Sequence, residues 1–365
     1  MIPATAYFSI FLVLVTFFSI PVIGNYNKTL NSKYCDNKNI ALGLALFLTL
    51  FIGLRPVHPV FADMVGYAAN YDYYSKLVWS LDYNSENLLF DNMTTLFAST
   101  GVPKDFYFIF LAALYFIGTY IACHKMFPSN TLVSYLVFLA AFSTFSYAVN
   151  GMKAGVAGVL FLCGVAYKEK SKWLSFALVI ASYGFHHSMS LCVLAYIAVF
   201  LYKNPKWYFY FWLFCLAMSI AHVSFFQVLF MRYSDAKGAT YLDSGNMAGW
   251  DGKTGFRADF ALYSAMPVLV GYYAIYKKKI QSDSYSMLLC LYLLTNGVWL
   301  LCMYAGFTNR IAYLSWFMYP MVLVYPYLQN ENIWKGRRYK VLATVISLHL
   351  CFTLFMYTIY YSILC

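Results

Sequence analysis

The chain has 365 residues, of which 62% are hydrophobic, 21% are aromatic and only 11% are charged. A soluble globular domain of this length does not have such a composition, so the sequence indicates an integral membrane protein that crosses the bilayer several times. Its formal net charge of +11 favours contact with anionic lipid on one side of a membrane over nucleic-acid binding.

Twelve apolar runs are about long enough to cross a hydrocarbon core roughly 30 Å thick as helices. In chain order they lie near residues 3–24, 39–54, 106–123, 131–149, 154–167, 173–185, 189–202, 207–230, 260–276, 284–304, 311–328 and 341–361. The first run has no basic start and no small-residue cleavage pattern, so we interpret it as a span and not as a signal peptide. The runs at 154–167, 173–185 and 189–202 are short, and we expect them to tilt or to thin the bilayer. The sequence therefore predicts an all-α, polytopic membrane bundle of about twelve helices, as a single domain over residues 1–365.

Lys and Arg residues are concentrated in one alternating set of short loops, which the positive-inside rule places in the cytoplasm. Two long loops then face outward. The first, 55–105, mixes Tyr and Trp with Asp and Glu and is predicted to form amphipathic interfacial helices, or alternatively an acidic cap without a ligand. The second, 231–259, is rich in Gly and is either a lid over a substrate or a plain flexible connection.

The nine cysteines are scattered singly and form no CxxC pair, so they behave as small apolar core residues. The chain also lacks the HExxH, GxGxxG, Walker lysine and GxSxG motifs. We therefore predict no disulfide framework, no metal site and no cofactor.

Six basic side chains lie at or just beyond the outer ends of apolar runs, namely Arg55, Lys153, His186, His187, Arg257 and Arg310. Holding several charges at the rim of a bilayer costs free energy, so their convergence on one face indicates an anionic ligand there. Each position also has a structural alternative. A cation there can end a helix, extend to the lipid headgroups, cap a turn or form an ordinary surface ion pair.

These residues fall in short segments that follow one another in a fixed order. The segments are Gly-Leu-Arg-Pro at 53–56, Phe-Ala-Asp at 61–63 with Tyr67 and Tyr71 after it, and the stretches 147–153, 184–188, 255–260 and 309–317. Their succession over residues 50–330 resembles that of the EpsG-like, Wzy-type exopolysaccharide and O-antigen polymerases. Two positions depart from the family pattern, because Lys153 stands where arginine is usual and His187 where lysine is usual.

The resemblance implies a metal-independent glycosyltransferase that polymerises lipid-linked oligosaccharide repeat units. Such an enzyme transfers the growing glycan from undecaprenyl pyrophosphate to the sugar of another carrier-linked unit, at the periplasmic or extracellular face of the bacterial cytoplasmic (inner) membrane. By family analogy its architecture is GT-C-like. Its expected partners are the undecaprenyl-pyrophosphate-linked oligosaccharide and membrane lipid, with a chain-length regulator and a flippase as further candidates.

Within this scheme Arg257 and Arg310 suit the pyrophosphate best, because a guanidinium offers paired donors to phosphate oxygens. Arg55 and Lys153 complete that site, and His187, Tyr67 and Tyr71 are further candidate substrate contacts. A base must also take the proton of the acceptor hydroxyl. The candidates for this catalytic role are Asp63, His186 and Asp259.

Other classes of membrane protein remain as alternatives. A lipid-linked oligosaccharide flippase or transporter would show ionisable residues near the midplane or an internal inverted repeat, and the sequence shows neither. An O-antigen ligase uses the same class of donor, so only the order of the segments separates it from a polymerase. A membrane acyltransferase is disfavoured because the cytoplasmic loops are short and basic.

Overall fold

A computed structural model of the protein describes residues 2–24, 28–232, 243, 255–329, 334 and 336–360. Every regular element in these ranges is a helix, which confirms the predicted all-α class. In chain order the helices are α1 (Tyr7–Gly24), α2 (Lys28–Cys35), α3 (Lys38–Gly53), α4 (Met64–Tyr74), α5 (Leu88–Ser99), α6 (Lys104–Met126), α7 (Thr131–Ala140), α8 (Phe142–Val149), α9 (Met152–Tyr167), α10 (Lys172–Phe185), α11 (Ser190–Leu201), α12 (Pro205–Ile220), α13 (Phe225–Arg232), α14 (Ala258–Tyr272), α15 (Asp283–Leu301), α16 (Thr308–Trp316), α17 (Tyr319–Gln329) and α18 (Arg338–Phe355).

The described residues form two compact units. The first lies within Met1–Val193 and Tyr327–Leu354, and it contains α1 to α10 and most of α18. The second lies within Leu194–Pro326 and Phe355–Cys365, and it contains α12 to α16. The boundaries between the units fall inside α11 and α17.

In the part of the chain that the structure describes, fewer helices than predicted are long and apolar enough to span a membrane. Among the described residues, six helices are long and apolar enough, and up to eight if each of two bent helix pairs is one span. Four of the predicted spans are shorter apolar helices of 10–17 residues, namely Lys38–Gly53, Met152–Tyr167, Lys172–Phe185 and His187–Leu201. The count of about twelve is therefore not confirmed. A hydropathy pattern identifies the apolar character of a run but does not fix whether its helix is long enough to cross.

The first unit is held together by close helix crossings. Helix α3 starts at a side-chain cap, in which Asn37 Oδ1 accepts a hydrogen bond from the Ile40 backbone N–H at 3.1 Å. Its other end packs directly on α6, because a Cβ added to Gly53 would lie 2.6 Å from the Cα of Ile109. Only glycine allows the two backbones to approach so closely.

One bent pair lies in this unit, where α7 and α8 meet at 76° across Ala141. A break in an apolar helix frees backbone carbonyls that water cannot reach, so side chains must satisfy them. The Thr144 hydroxyl donates to the Phe138 carbonyl at 2.6 Å, and the Thr353 hydroxyl donates to the Ala140 carbonyl at 2.7 Å. Side chains thus stabilise the break, and α8 runs from it to Val149, directly before the segment 150–153.

Residues 55–105 contain the two helices α4 and α5 and fold back onto α6. The Tyr71 hydroxyl donates to the Val102 carbonyl at 2.7 Å, and the rings of Tyr71 and Tyr107 lie 4.7 Å apart. Thr94 on α5 contacts the Tyr107 hydroxyl at 2.9 Å. Of the predicted Gly-rich loop at 231–259, the structure describes only residues 231–232, 243 and 255–259.

Candidate functional site

Arg55 ties together two helix ends in the first unit. Its Nη1 donates to the Ile52 carbonyl at 2.7 Å, and its Nη2 donates to the Val149 carbonyl at 2.9 Å and contacts Met152 Sδ at 3.1 Å. The side chain is 4% exposed and lies over the ring of Phe61 at 5.4 Å. Burial lowers the pKa of the Arg55 guanidinium to about 9, so the group stays charged at neutral pH. A cation is favourable at the negative ends of two helix dipoles.

Asp63 is held by the segment that follows α8. Its backbone N–H donates to Asn150 Oδ1 at 3.1 Å, while its side chain is exposed. The preceding Ala62 has a φ of 46°, which a residue with a Cβ adopts only when its surroundings impose it. Together with the contacts of Arg55, this hydrogen bond joins two of the segments that resemble the polymerase family, at 53–63 and 147–153.

Lys153, in the first turn of α9, forms an ion pair with Asp91 on α5, and the Nζ to Oδ1 distance is 2.8 Å. The two side chains are 24% and 29% exposed. The lysine also lies 4.7 Å from the centroid of the Phe90 ring and 6.0 Å from that of Tyr67. Burial disfavours the charged carboxylate, but hydrogen bonds from Lys153 and Ser85 hold the pKa of Asp91 below its ordinary value.

Asn87 links this ion pair to the histidine segment. The residue is 5% exposed, and its Nδ2 donates to Asp91 Oδ2 at 3.4 Å. Its Oδ1 accepts the backbone N–H of His187 at 3.1 Å and lies 3.3 Å from His187 Nδ1. The Ser85 hydroxyl donates to Asp91 Oδ2 at 2.6 Å. We call the set Ser85, Asn87, Asp91, Lys153 and His187 the Asp91 network.

His186 lies beside His187 at the edge of the Asp91 network. Its ring lies 5.1 Å from that of His187, nearly parallel to it. Its Nδ1 accepts the Ser188 backbone N–H at 3.2 Å and is 2.7 Å from the Ser188 hydroxyl. The two adjacent histidines therefore have different environments at Nδ1.

The two candidate tyrosines differ in position. Tyr67 is half-buried beside Phe90, with the ring centroids 5.9 Å apart, and so borders the Asp91 network. Tyr71 is 3% exposed and packs on Tyr107. Burial raises the pKa of the Tyr71 hydroxyl, which is occupied with Val102. Its environment favours packing over sugar contact.

The remaining candidates lie in the second unit. Arg257 is 6% exposed, and its Nε and Nη2 donate to the two oxygens of Asp259 at 3.1 and 2.9 Å. The guanidinium carbon also lies 4.2 Å from the centroid of the Phe260 ring. Arg310, in the first turn of α16, has its guanidinium carbon 5.0 Å from the centroid of the Phe307 ring.

The first unit therefore brings Arg55, Asp63, Lys153, His186 and His187 into one region, through contacts that pass along residues 149–153. Sequence reasoning missed Asn87 and Asp91, which connect the lysine to the histidine. The only local signal for them is a polar residue and a carboxylate four positions apart at the start of a helix.

The fold and this charged region define an all-helical membrane protein with apolar helices of spanning length and a polar cluster in loops and helix starts. A family model described as the EpsG family matches residues 38–364, and the chain belongs to this family. The predicted resemblance is thereby confirmed, and the family indicates a membrane protein with a polysaccharide polymerase-like role. No curated protein and no solved structure matches the chain, so the GT-C-like architecture stays a prediction.

Proposed function

We propose that this protein is a membrane glycosyltransferase that polymerises lipid-linked oligosaccharide repeat units. It would move the growing glycan from an undecaprenyl diphosphate carrier to the sugar of a second carrier-linked unit. The observation that carries this proposal is the match to the EpsG family over residues 38–364. In the proposal the active face is the periplasmic or extracellular side of the bacterial inner membrane, and a flippase and a chain-length regulator act on either side of this step.

The geometry supports a diphosphate as the leaving group. As the glycosidic oxygen departs, negative charge grows on the diphosphate, and fixed cations nearby lower the barrier. In the first unit, Lys153 provides such a cation at the start of α9, where its ammonium pairs with Asp91. Within the second unit, Arg257 at the start of α14 pairs with Asp259 and is a candidate of the same kind. A cation held in place by a carboxylate can also donate hydrogen bonds to phosphate oxygens with little reorganisation.

The matching experiment is a reconstituted reaction with purified protein. The substrate is the undecaprenyl-diphosphate oligosaccharide that accumulates in cells of the source organism lacking this chain. A ladder of products spaced by one repeat unit supports the polymerase. Transfer of a single unit only to a lipid A core would indicate a ligase, and no chemical product from folded protein would contradict both.

The orientation is tested separately by labelling. Tyr83 lies between α4 and α5 and is 79% exposed. The variant Tyr83→Cys should react with a membrane-impermeant maleimide in spheroplasts without permeabilisation. Labelling that requires permeabilised membranes would place this segment in the cytoplasm and contradict the proposed active face.

A further inference from the structure

The side chain of Asn87 faces Nδ1 of His187. The carbonyl oxygen of the Asn87 side chain can only accept hydrogen bonds, and it already accepts the backbone N–H of His187 at 3.1 Å. The amide nitrogen of Asn87 faces Asp91 Oδ2, which is also only an acceptor when ionised. Both neighbours therefore fix the same orientation of the Asn87 amide, with its oxygen towards the histidine.

This orientation determines the tautomer of His187. Its Nδ1 lies 3.3 Å from Asn87 Oδ1, so a hydrogen bond there requires the proton on Nδ1. In the neutral ring Nε2 then carries the lone pair. In many enzymes the general base is a histidine of this kind, in which a fixed partner orients the ring through Nδ1 and Nε2 takes the proton.

His186 has the opposite tautomer. The Ser188 backbone N–H can only donate, and it points at His186 Nδ1 at 3.2 Å. Nδ1 of His186 is therefore the acceptor, and the neutral ring carries its proton on Nε2. Such a ring can donate a hydrogen bond from Nε2, but it cannot take a proton there.

We infer that His187 is the general base of the glycosyl transfer and that Asn87, supported by Asp91, is its positioning residue. This inference rests on the proposed function and deepens it. It assigns the base to a residue that the sequence presented only as a substrate contact, and it replaces Asp63, His186 and Asp259 in that role.

Nε2 of His187 takes the proton of the acceptor hydroxyl while that oxygen forms a bond to the anomeric carbon of the donor glycan. The bond between this carbon and the diphosphate oxygen breaks, and its electron pair leaves with the polyprenyl diphosphate. The imidazolium then returns its proton to water, which restores the neutral base.

The charged groups around His187 come from three directions. Asp91 lies on α5, with the exposed Glu86 in the turn before it. Lys153 lies at the start of α9, and His186 follows the end of α10. Lys153 and Asp91 pair with each other at 2.8 Å.

The first test compares the pH dependence of kcat/KM for wild type, His187→Ala and His186→Ala, with the accumulated lipid-linked oligosaccharide as substrate. Loss of a single base typically lowers the rate by about 10²–10⁴-fold, so we expect a loss of this size in His187→Ala, together with loss of the acid limb of the profile. His186→Ala should retain the acid limb even if its rate falls. An acid limb that survives in His187→Ala but vanishes in His186→Ala would overturn the assignment.

The second test does not depend on removing the base. Exchanging the amide and the carboxylate, Asn87→Asp with Asp91→Asn, puts a negative charge beside His187 Nδ1. A close opposite charge favours the protonated ring, so the acid limb should move to higher pH by about one unit or more. Asp91→Asn alone removes a negative charge and should move it slightly to lower pH. An acid limb that does not move would show that His187 is not the titrating base, and that result would refute the inference.

The two proposals fail in different ways. If wild-type protein forms no product with this substrate, the proposed function fails. If wild type forms a ladder but none of these substitutions changes the acid limb, the polymerase stands and only the assignment of His187 falls. Fluorescence-detected size-exclusion profiles of each variant show whether the protein is folded, so a misfolded variant is not counted.

Discussion

Replacing Arg55 should mainly affect the stability of the first unit. The side chain is buried and donates to the carbonyls of Ile52 and Val149, which lie at the ends of α3 and α8. Arg55→Ala leaves these carbonyls without the guanidinium and opens space beside Phe61. Arg55→Lys keeps the charge but offers no planar fork, so one ammonium must serve both carbonyls.

The contacts set the size of the effect. A hydrogen bond from a charged group contributes about 1.5–3 kcal/mol, so losing two costs about 3–6 kcal/mol. At roughly 2–4 °C per kcal/mol for a domain of 150–250 residues, the thermal midpoint should fall by about 6–24 °C. Arg55→Lys should lose about half as much, because at least one carbonyl keeps a charged donor.

The assay is thermal stability in detergent, followed by fluorescence-detected size exclusion, combined with the dependence of rate on donor concentration. We expect Arg55→Ala to lower the midpoint while the surviving folded protein keeps its KM for the donor within about threefold. If the midpoint is unchanged and KM rises more than about tenfold, or about 1.4 kcal/mol, Arg55 binds the diphosphate. That result would refute the explanation that Arg55 mainly holds the ends of α3 and α8 together.

Three further predictions concern other positions. Lys153→Arg should keep most activity, whereas Lys153→Met should lose it; equal loss in both would show that geometry and not charge matters there. The folded-state pKa of Asp91 is lowered, so its contribution to stability is present above the unfolded value of about 4 and is lost as pH falls further. A thermal-midpoint titration should show this acid loss in wild type but not in Asp91→Asn. Gly53→Ala should destabilise by about 1–3 kcal/mol because its Cβ meets backbone, while Gly43→Ala in the same helix meets nothing within 4 Å and should be neutral.

The fold class was predictable because the amino-acid composition indicates that most of the chain is surrounded by lipid and not by water. A chain with 62% hydrophobic and 11% charged residues must satisfy its backbone inside lipid, and helices do so within each segment. The bend at Ala141 was not predictable, because α7 and α8 lie within one apolar run near 131–149. The residues that donate hydrogen bonds to the carbonyls freed by the bend include Thr353, which is more than 200 positions away in the sequence.

Part of the candidate site could be selected from the sequence. Charged residues at the ends of apolar runs are conspicuous in any membrane sequence, so Arg55, Lys153 and His187 could be selected. Asn87 could not, since its partner His187 lies 100 positions further along the chain. Asn87 and Asp91 lie in a segment rich in polar residues, where one amide is not distinguished from another by sequence alone.

The two departures from the family pattern, Lys153 and His187, belong to a single network through Asp91 and Asn87. This allows a sharp test, because His187→Lys restores the residue that is usual in the family. If His187 acts as a base, it must be neutral to work, and a lysine, whose ordinary pKa is near 10.4, should move the acid limb far to higher pH. Activity at pH 7 should then fall. If His187 instead binds phosphate as a cation, it must be protonated, and His187→Lys should retain or raise activity at pH 7 and above. The sign of the change at neutral pH therefore decides between the two roles without a knowledge of the sugar.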